Sequence, residues 1–174
     1  MKRKGLVVVY TGNGKGKTTA AFGLALRALG HGEKVLIVQF IKSRTDTGEL
    51  AIADKWKENA EVLVYGSGFI REKPYTEKLK NECGRAWNKA RESVLSGKHS
   101  LVILDELTHL VNLGLVPEDE VIDCIRGKPA DTHLVITGRG ATDRIIEAAD
   151  TVTEMREVKH AYGTGVKAQA GMEW

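Results

Sequence analysis

A short apolar run, Leu6–Tyr10, leads directly into Thr11-Gly12-Asn13-Gly14-Lys15-Gly16-Lys17-Thr18-Thr19, and a helical pattern opens at Lys17. No other stretch narrows so far what this chain can fold into. A strand, a glycine-rich loop and a helix, in that order, form the context of a nucleotide phosphate-binding loop. Glycines let backbone N–H groups curve around phosphate oxygens, and the helix N-terminus adds a favourable dipole. In that setting Lys17 brings a point charge to the phosphates, and the Thr18 hydroxyl is placed to ligate Mg2+. The usual spacing is G-x-x-x-x-G-K-[ST]; here Thr11 stands where its first glycine would be, which leaves Gly12 to make the sharp turn. A dinucleotide-binding turn does not fit, because the glycines run G-x-G-x-G with a lysine and a threonine following. The competing structural explanation is a glycine-rich strand-to-helix turn with an incidental lysine.

Strand and helix patterns then alternate along the chain. Val35–Phe40, Val62–Val64, Leu101–Leu104, His133–Thr137 and Thr151–Met155 read as further strands. Lys17–Leu29, a weaker stretch at Leu50–Trp56, Thr76–Leu95, Glu118–Arg126 and Asp143–Ala148 read as helices. This alternation predicts crossover connections and a largely parallel sheet covered on both faces. Val35-Leu36-Ile37-Val38 and Leu101-Val102-Ile103-Leu104 are apolar without alternation, as strands buried on both faces should be. Pro117 before Glu118-Asp119-Glu120 fits a helix start, with acids at its positive end. The stretch Arg156–Trp174 contains Gly163, Gly165 and Gly171 without a clear period and reads as an irregular tail. Residues 1–174 are expected to form one α/β domain.

A second polar element supports the first. Leu101-Val102-Ile103-Leu104-Asp105-Glu106 is an apolar strand ending in two carboxylates. Ligands of open α/β sheets bind at the carboxyl ends of strands, so Asp105 or Glu106 is placed to hold Mg2+ directly or through water. The plainer alternative is a strand that ends in ordinary solvated acids. Arg139, in Thr137-Gly138-Arg139-Gly140, is positioned either to reach a phosphate or to pair with an acid such as Asp143. Phe69, in Gly66-Ser67-Gly68-Phe69, can wall a flat ligand or close the loop as a core residue; residue chemistry alone favours the core.

Composition excludes several classes. The 174 residues are 42% hydrophobic and 28% charged, a balance that supports a core and argues against intrinsic disorder. No apolar run approaches the roughly 20 residues a membrane span requires, and the basic start lacks the longer apolar stretch of a signal peptide. Cys83 and Cys124 have no metal-like spacing, so a cytoplasmic protein with reduced thiols is expected. The formal charge of +3 is a weak field that gives little reason to expect a nucleic-acid partner.

From Val9 through Gly23 the sequence closely resembles the ATP:corrinoid adenosyltransferases of the bacterial cobalamin pathway. The resemblance continues through Val38-Gln39-Phe40-Ile41-Lys42, Leu104-Asp105-Glu106-Leu107-Thr108 and Ile136-Thr137-Gly138-Arg139-Gly140. It closes with Lys159-His160-Ala161-Tyr162 and Gly165-Val166-Lys167-Ala168-Gln169. Generic nucleotide hydrolases have no such tail, and the Thr11 departure is shared by the family. The resemblance implies a three-layer α/β fold of the P-loop NTPase type (RecA-like) with a mostly parallel central sheet. It implies transfer of the 5′-deoxyadenosyl group of ATP to a reduced Co(I) corrinoid, with tripolyphosphate leaving. Mg2+, a homodimer and a flavoprotein or other low-potential reductant are the expected companions.

The residue assignments that follow from the resemblance are equally specific. Gly12, Asn13, Gly14, Lys15, Gly16, Lys17, Thr18 and Thr19 bind the nucleotide, with Lys17 and Glu106 acting in catalysis. Thr18, Asp105 and Glu106 hold the metal, Arg27 and Arg139 are possible phosphate contacts, and Phe69 lies against the corrinoid ring. Relatives often carry a tryptophan two positions after this phenylalanine, where Arg71 stands here. The N-terminal extension of some relatives is also missing. The alternatives are a P-loop ATPase or small-molecule kinase, and a non-catalytic nucleotide-binding regulator.

Overall fold

The computed structural model describes residues 4–41, 51, 55–65 and 75–172; Phe69, Arg71 and most of the stretch 50–56 lie outside these. Six strands are present: β1 (Val7–Thr11), β2 (Val35–Gln39), β3 (Ala60–Val64), β4 (Leu101–Asp105), β5 (His133–Thr137) and β6 (Thr151–Glu154). They form one sheet in the order β3-β2-β4-β5-β1-β6, and every neighbouring pair is parallel. The connecting helices are α1 (Lys17–Gly30), α2 (Glu77–Leu95), α3 (Leu107–Asn112), α4 (Glu118–Gly127) and α5 (Asp143–Glu147). The short α3 was not expected, because Leu107–Asn112 follows an apolar strand without a turn signal or a side-chain cap. The segment after β6 is irregular apart from a single 3-10 turn, Ala161–Thr164.

The two-residue period of the strands divides the core into two layers. Val35, Ile37, Leu101, Ile103 and Val135 face α1, which contributes Ala21, Ala25 and Leu29. Leu36, Val38, Val102, Leu104, Leu134 and Ile136 face the other side. There they meet Ala86, Trp87 and Ala90 of α2, Leu107 and Leu110 of α3, Val121 and Ile122 of α4, and Ile145 of α5. Helix, sheet and helix make the three-layer P-loop NTPase-like architecture, with β5 inserted between β1 and β4.

This arithmetic of faces builds the site. Two residues beyond Ile37, Ile103 and Val135, on the face that α1 covers, come Gln39, Asp105 and Thr137, all buried. Three adjacent strands thus end in polar side chains beside the first turn of α1. Asp105 lies directly across from Gln39 in the β2–β4 register. Among the described residues, no helix is long and apolar enough to cross a membrane.

Candidate active site

The loop between β1 and α1 is shaped as much by its protein neighbours as by any ligand. The chain leaving β6 runs back against it: Met155 donates its N–H to the Thr11 carbonyl (2.8 Å) and accepts the Gly14 N–H (2.6 Å). A Cβ on Gly12 would lie 2.5 Å from the Met155 carbonyl oxygen, and one on Gly14 would lie 2.7 Å from it. Glycine is therefore required at both places by backbone approach, and the Gly14 N–H is spent inside the protein. Thr11 is occupied too, its hydroxyl accepting the Ala141 N–H at 3.0 Å. That bond ties the end of β1 to the loop after β5, a role a glycine at this position could not fill. Gly16, at φ 113°, opens α1 with no side-chain cap, so no capping side chain competes for the first-turn N–H groups.

Asn13, Lys15 and Thr19 stand exposed on the loop's outer side. Lys15 Nζ donates to the Met172 carbonyl at 2.6 Å, which brings the C-terminal segment over the loop. Lys17 turns the other way. It is 7% exposed, and its Nζ donates to the Gly12 and Gly14 carbonyls, each at 2.8 Å. Burial pushes its pKa below the ordinary lysine value. Glu106 opposes that shift, Arg139 adds to it, and Asp105 opposes it. Lys17, Glu106, Arg139 and Asp105 thus act on one another at one end of the sheet.

Asp105 is the hub. Its Oδ1 accepts the hydroxyls of Thr18 (2.9 Å) and Thr137 (2.8 Å), and its Oδ2 faces Gln39 Nε2 at 3.4 Å. Thr137 Oγ1 also accepts the Glu106 N–H at 2.9 Å. Because Thr18 gives its proton to Asp105, its lone pairs are left for a cation. Hydrogen bonds to charged groups contribute about 1.5–3 kcal/mol each, enough to hold the Thr18 rotamer. Glu106 follows at φ 65°, the one non-glycine residue with positive φ among the described residues. That conformation turns the chain sharply into α3 and sends the Glu106 side chain away from the strand direction.

The Arg139 side chain is exposed on the loop after β5. Its carbonyl accepts the Thr108 hydroxyl (2.9 Å) and the Asn112 amide (3.0 Å), which fixes the loop beside the site. Arg27 does not join it. It lies exposed in the last turn of α1, about 15 Å along the helix axis from Lys17 at 1.5 Å per residue. Gln39 and Thr137 are the site residues that sequence reasoning did not single out. Both end apolar strands, and only the cross-strand register joins them to Asp105.

Among the described residues, no group of three His, Cys, Asp or Glu side chains suits a metal ion by itself. A cation here would need oxygens from a bound phosphate chain, which is how Mg2+ is commonly held. The donor set fits: the Thr18 hydroxyl oxygen and the Asp105 and Glu106 carboxylates are hard oxygen ligands of the kind Mg2+ prefers. A separate cleft of about 600 Å3 opens beside Lys4, Lys128, Arg144 and Asp150. There Lys4 pairs with Asp150 at 3.0 Å, Arg144 with Glu118 at 3.0 Å and Asp119 at 2.7 Å, and Lys128 Nζ donates to the Gly5 carbonyl at 2.9 Å.

The fold and the loop after β1 together define a protein of the P-loop NTPase-like class. The family model for ATP:corrinoid adenosyltransferase BtuR/CobO/CobP matches residues 3–174. The corrinoid adenosyltransferase of Escherichia coli (strain K12) is 42% identical over 171 residues, 98% of this chain and 86% of the relative. That of Pseudomonas aeruginosa is 44% identical over 98% of this chain and 84% of the relative. The corrinoid adenosyltransferase CobA of Salmonella typhimurium (strain LT2) is 41% identical over 99% of this chain and 87% of the relative. The chain belongs to the ATP:corrinoid adenosyltransferase family.

Proposed function

We propose that this chain transfers the 5′-deoxyadenosyl group of ATP to the Co(I) centre of a reduced corrinoid, and that its phosphate loop holds the departing triphosphate. The lone pair of Co(I) attacks C5′, a cobalt–carbon bond forms, the C5′–O bond breaks, and its electron pair leaves with tripolyphosphate. The attacking atom belongs to the corrinoid, so the protein needs no nucleophilic side chain of its own. Its tasks are to hold C5′ in line with cobalt and to stabilise charge growing on the leaving group, and positioning with electrostatics can supply most of such a barrier.

One observation carries this assignment: Lys17 Nζ sits buried and pre-aimed between two loop carbonyls, in a site shared with Glu106 and Arg139. A triphosphate would replace those carbonyls as the partner of Lys17. Thr18 and Glu106 would hold Mg2+, with Asp105 orienting Thr18; the ion supplies neutralisation of the phosphate charge. Arg139 reaches the same charge from the loop after β5. Phe69, outside the described residues, is assigned to the corrinoid face from its motif alone. A low-potential reductant, such as a flavoprotein, would supply the electron that makes Co(I). A homodimer and a cytoplasmic setting complete the proposal.

The test mixes protein, MgATP and several chemically reduced corrinoids side by side. A light-sensitive cobalt–carbon product with one equivalent of tripolyphosphate is the expected result. ADP and orthophosphate, formed without corrinoid dependence, would instead identify a P-loop ATPase or small-molecule kinase. Sedimentation of the purified protein reads the oligomeric state directly.

A further inference from the structure

Gln39 is an unusual residue for its place. It closes β2 after four apolar residues, is 1% exposed, and lies on the sheet face covered by α1. Its amide nitrogen faces Asp105 Oδ2 at 3.4 Å, a long contact that fixes which end of the amide points to the carboxylate. The opposite orientation would set the amide oxygen against that carboxylate oxygen and repel it. Among the described residues, the Oε1 atom is then left buried with no hydrogen-bond partner. Buried carbonyl oxygens are rarely left so, and one beside a cluster of functional groups points to a bound water or ligand that donates to it. Apolar side chains of similar volume would fill the same space without that penalty.

Gln39 therefore has one end on Asp105 and one end offered to something else. Asp105 in turn holds Thr18, whose hydroxyl oxygen is the proposed metal ligand. A divalent cation bound to phosphates keeps several waters, and each such water is a strong hydrogen-bond donor in need of an acceptor. We propose that Gln39 is a positioning residue of the nucleotide site: its Oε1 accepts a hydrogen bond from a water on the cation that accompanies the triphosphate, while its Nε2 steadies Asp105. The inference rests on the nucleotide reading above and adds to it the residue that orients the hydrated cation. Groups of this outer kind typically change metal affinity by about 10- to 100-fold when removed.

The test uses Mn2+ in place of Mg2+ and reads binding by electron paramagnetic resonance, with thermal unfolding as the control for folding. Gln39→Met keeps the volume and removes both polar ends. It is expected to weaken Mn2+ binding in the presence of ATP by about 10-fold or more, while metal-free ATP affinity stays within about twofold. Gln39→Glu keeps an acceptor oxygen but exchanges the N–H donor for an oxygen that repels Asp105, and is expected to lose less Mn2+ affinity than Gln39→Met, about threefold. Unchanged Mn2+ affinity in a folded Gln39→Met protein overturns the proposal. So does equal loss in both variants, which would assign Gln39 to steadying Asp105 alone. Should Gln39→Glu not fold, Gln39→Met decides by itself. The Mn2+ signal does not depend on turnover, so failure of adenosyl transfer and failure of this assignment register separately.

Discussion

At the scale of single residues, Lys17 and Glu106 show how the site stores what it will later use. Lys17 is held below its ordinary pKa first by burial and further by Arg139, against the pull of Glu106 and Asp105. Phosphates favour its charged form, so binding raises that pKa again. ATP affinity is therefore expected to fall as pH rises through the free-protein value, below 10.5, with uptake of part of a proton on binding there. Calorimetry in alkaline buffers of different ionisation enthalpy measures that uptake, and Lys17→Met should abolish it and weaken ATP binding by about 100-fold. The fold alone obeys the opposite sign: with the folded pKa lowered, stability contributed at this position grows as pH climbs from the folded value towards 10.5. Glu106, at φ 65°, carries backbone strain of about 1–2 kcal/mol. Glu106→Gly and Glu106→Ala both remove the carboxylate and should both stop transfer. Chemical denaturation should nevertheless find the glycine variant more stable than the alanine variant by about 1 kcal/mol, because only glycine accepts that φ freely.

Elements differ in how far their roles can be read locally. The loop and the start of α1 are legible because the glycines, Lys17 and Thr18 that mark them lie in nine consecutive residues, Thr11–Thr19. β1, β2, β4 and β5 are legible because their apolar runs are short and bounded. α3 is not, since its start is set by the left-handed backbone of Glu106 rather than by a capping side chain. Gln39 and Thr137 are not either, because their meaning comes from strands that neighbour one another only after long crossovers. Arg27 shows the converse, since ten residues of helix separate it from Lys17 and set it in the last turn of α1. Glycines within one element divide in the same way. Gly23 lies on the exposed side of α1 with nothing near its missing Cβ. Gly23→Ala should therefore stabilise the protein by about 0.5–1 kcal/mol and leave ATP binding unchanged. Gly14→Ala places a methyl group against the Met155 carbonyl. It should cost about 1–3 kcal/mol and weaken ATP binding, because the loop can relieve the clash only by moving. Thermal unfolding of the pair should give opposite signs, and nucleotide titration should separate an unchanged variant from a weakened one.

For the whole molecule, the two buried layers isolate the thiols from the site. Cys83 and Cys124 both lie in the layer facing away from α1. Burial pushes both thiols upward, Cys124 to about 11. Alkylation at neutral pH is accordingly expected to be slow in the native protein, to leave adenosyl transfer unaffected while it is incomplete, and to accelerate sharply at the unfolding midpoint. Fast modification of the native protein would contradict the packing described. The outer strand β6 behaves differently. Among the described residues it pairs only with β1, and all four of its residues are exposed, yet the residue that follows it holds the Gly14 amide. Edge strands with few buried contacts are where native proteins open most readily. The phosphate loop consequently inherits the breathing of the sheet's margin, and the Gly14 amide proton should exchange with solvent no more slowly than β6 frays. Linkage makes the effect reciprocal: a nucleotide that seals the loop must also slow exchange along Thr151–Glu154, so occupancy at the centre of the molecule becomes measurable at its rim.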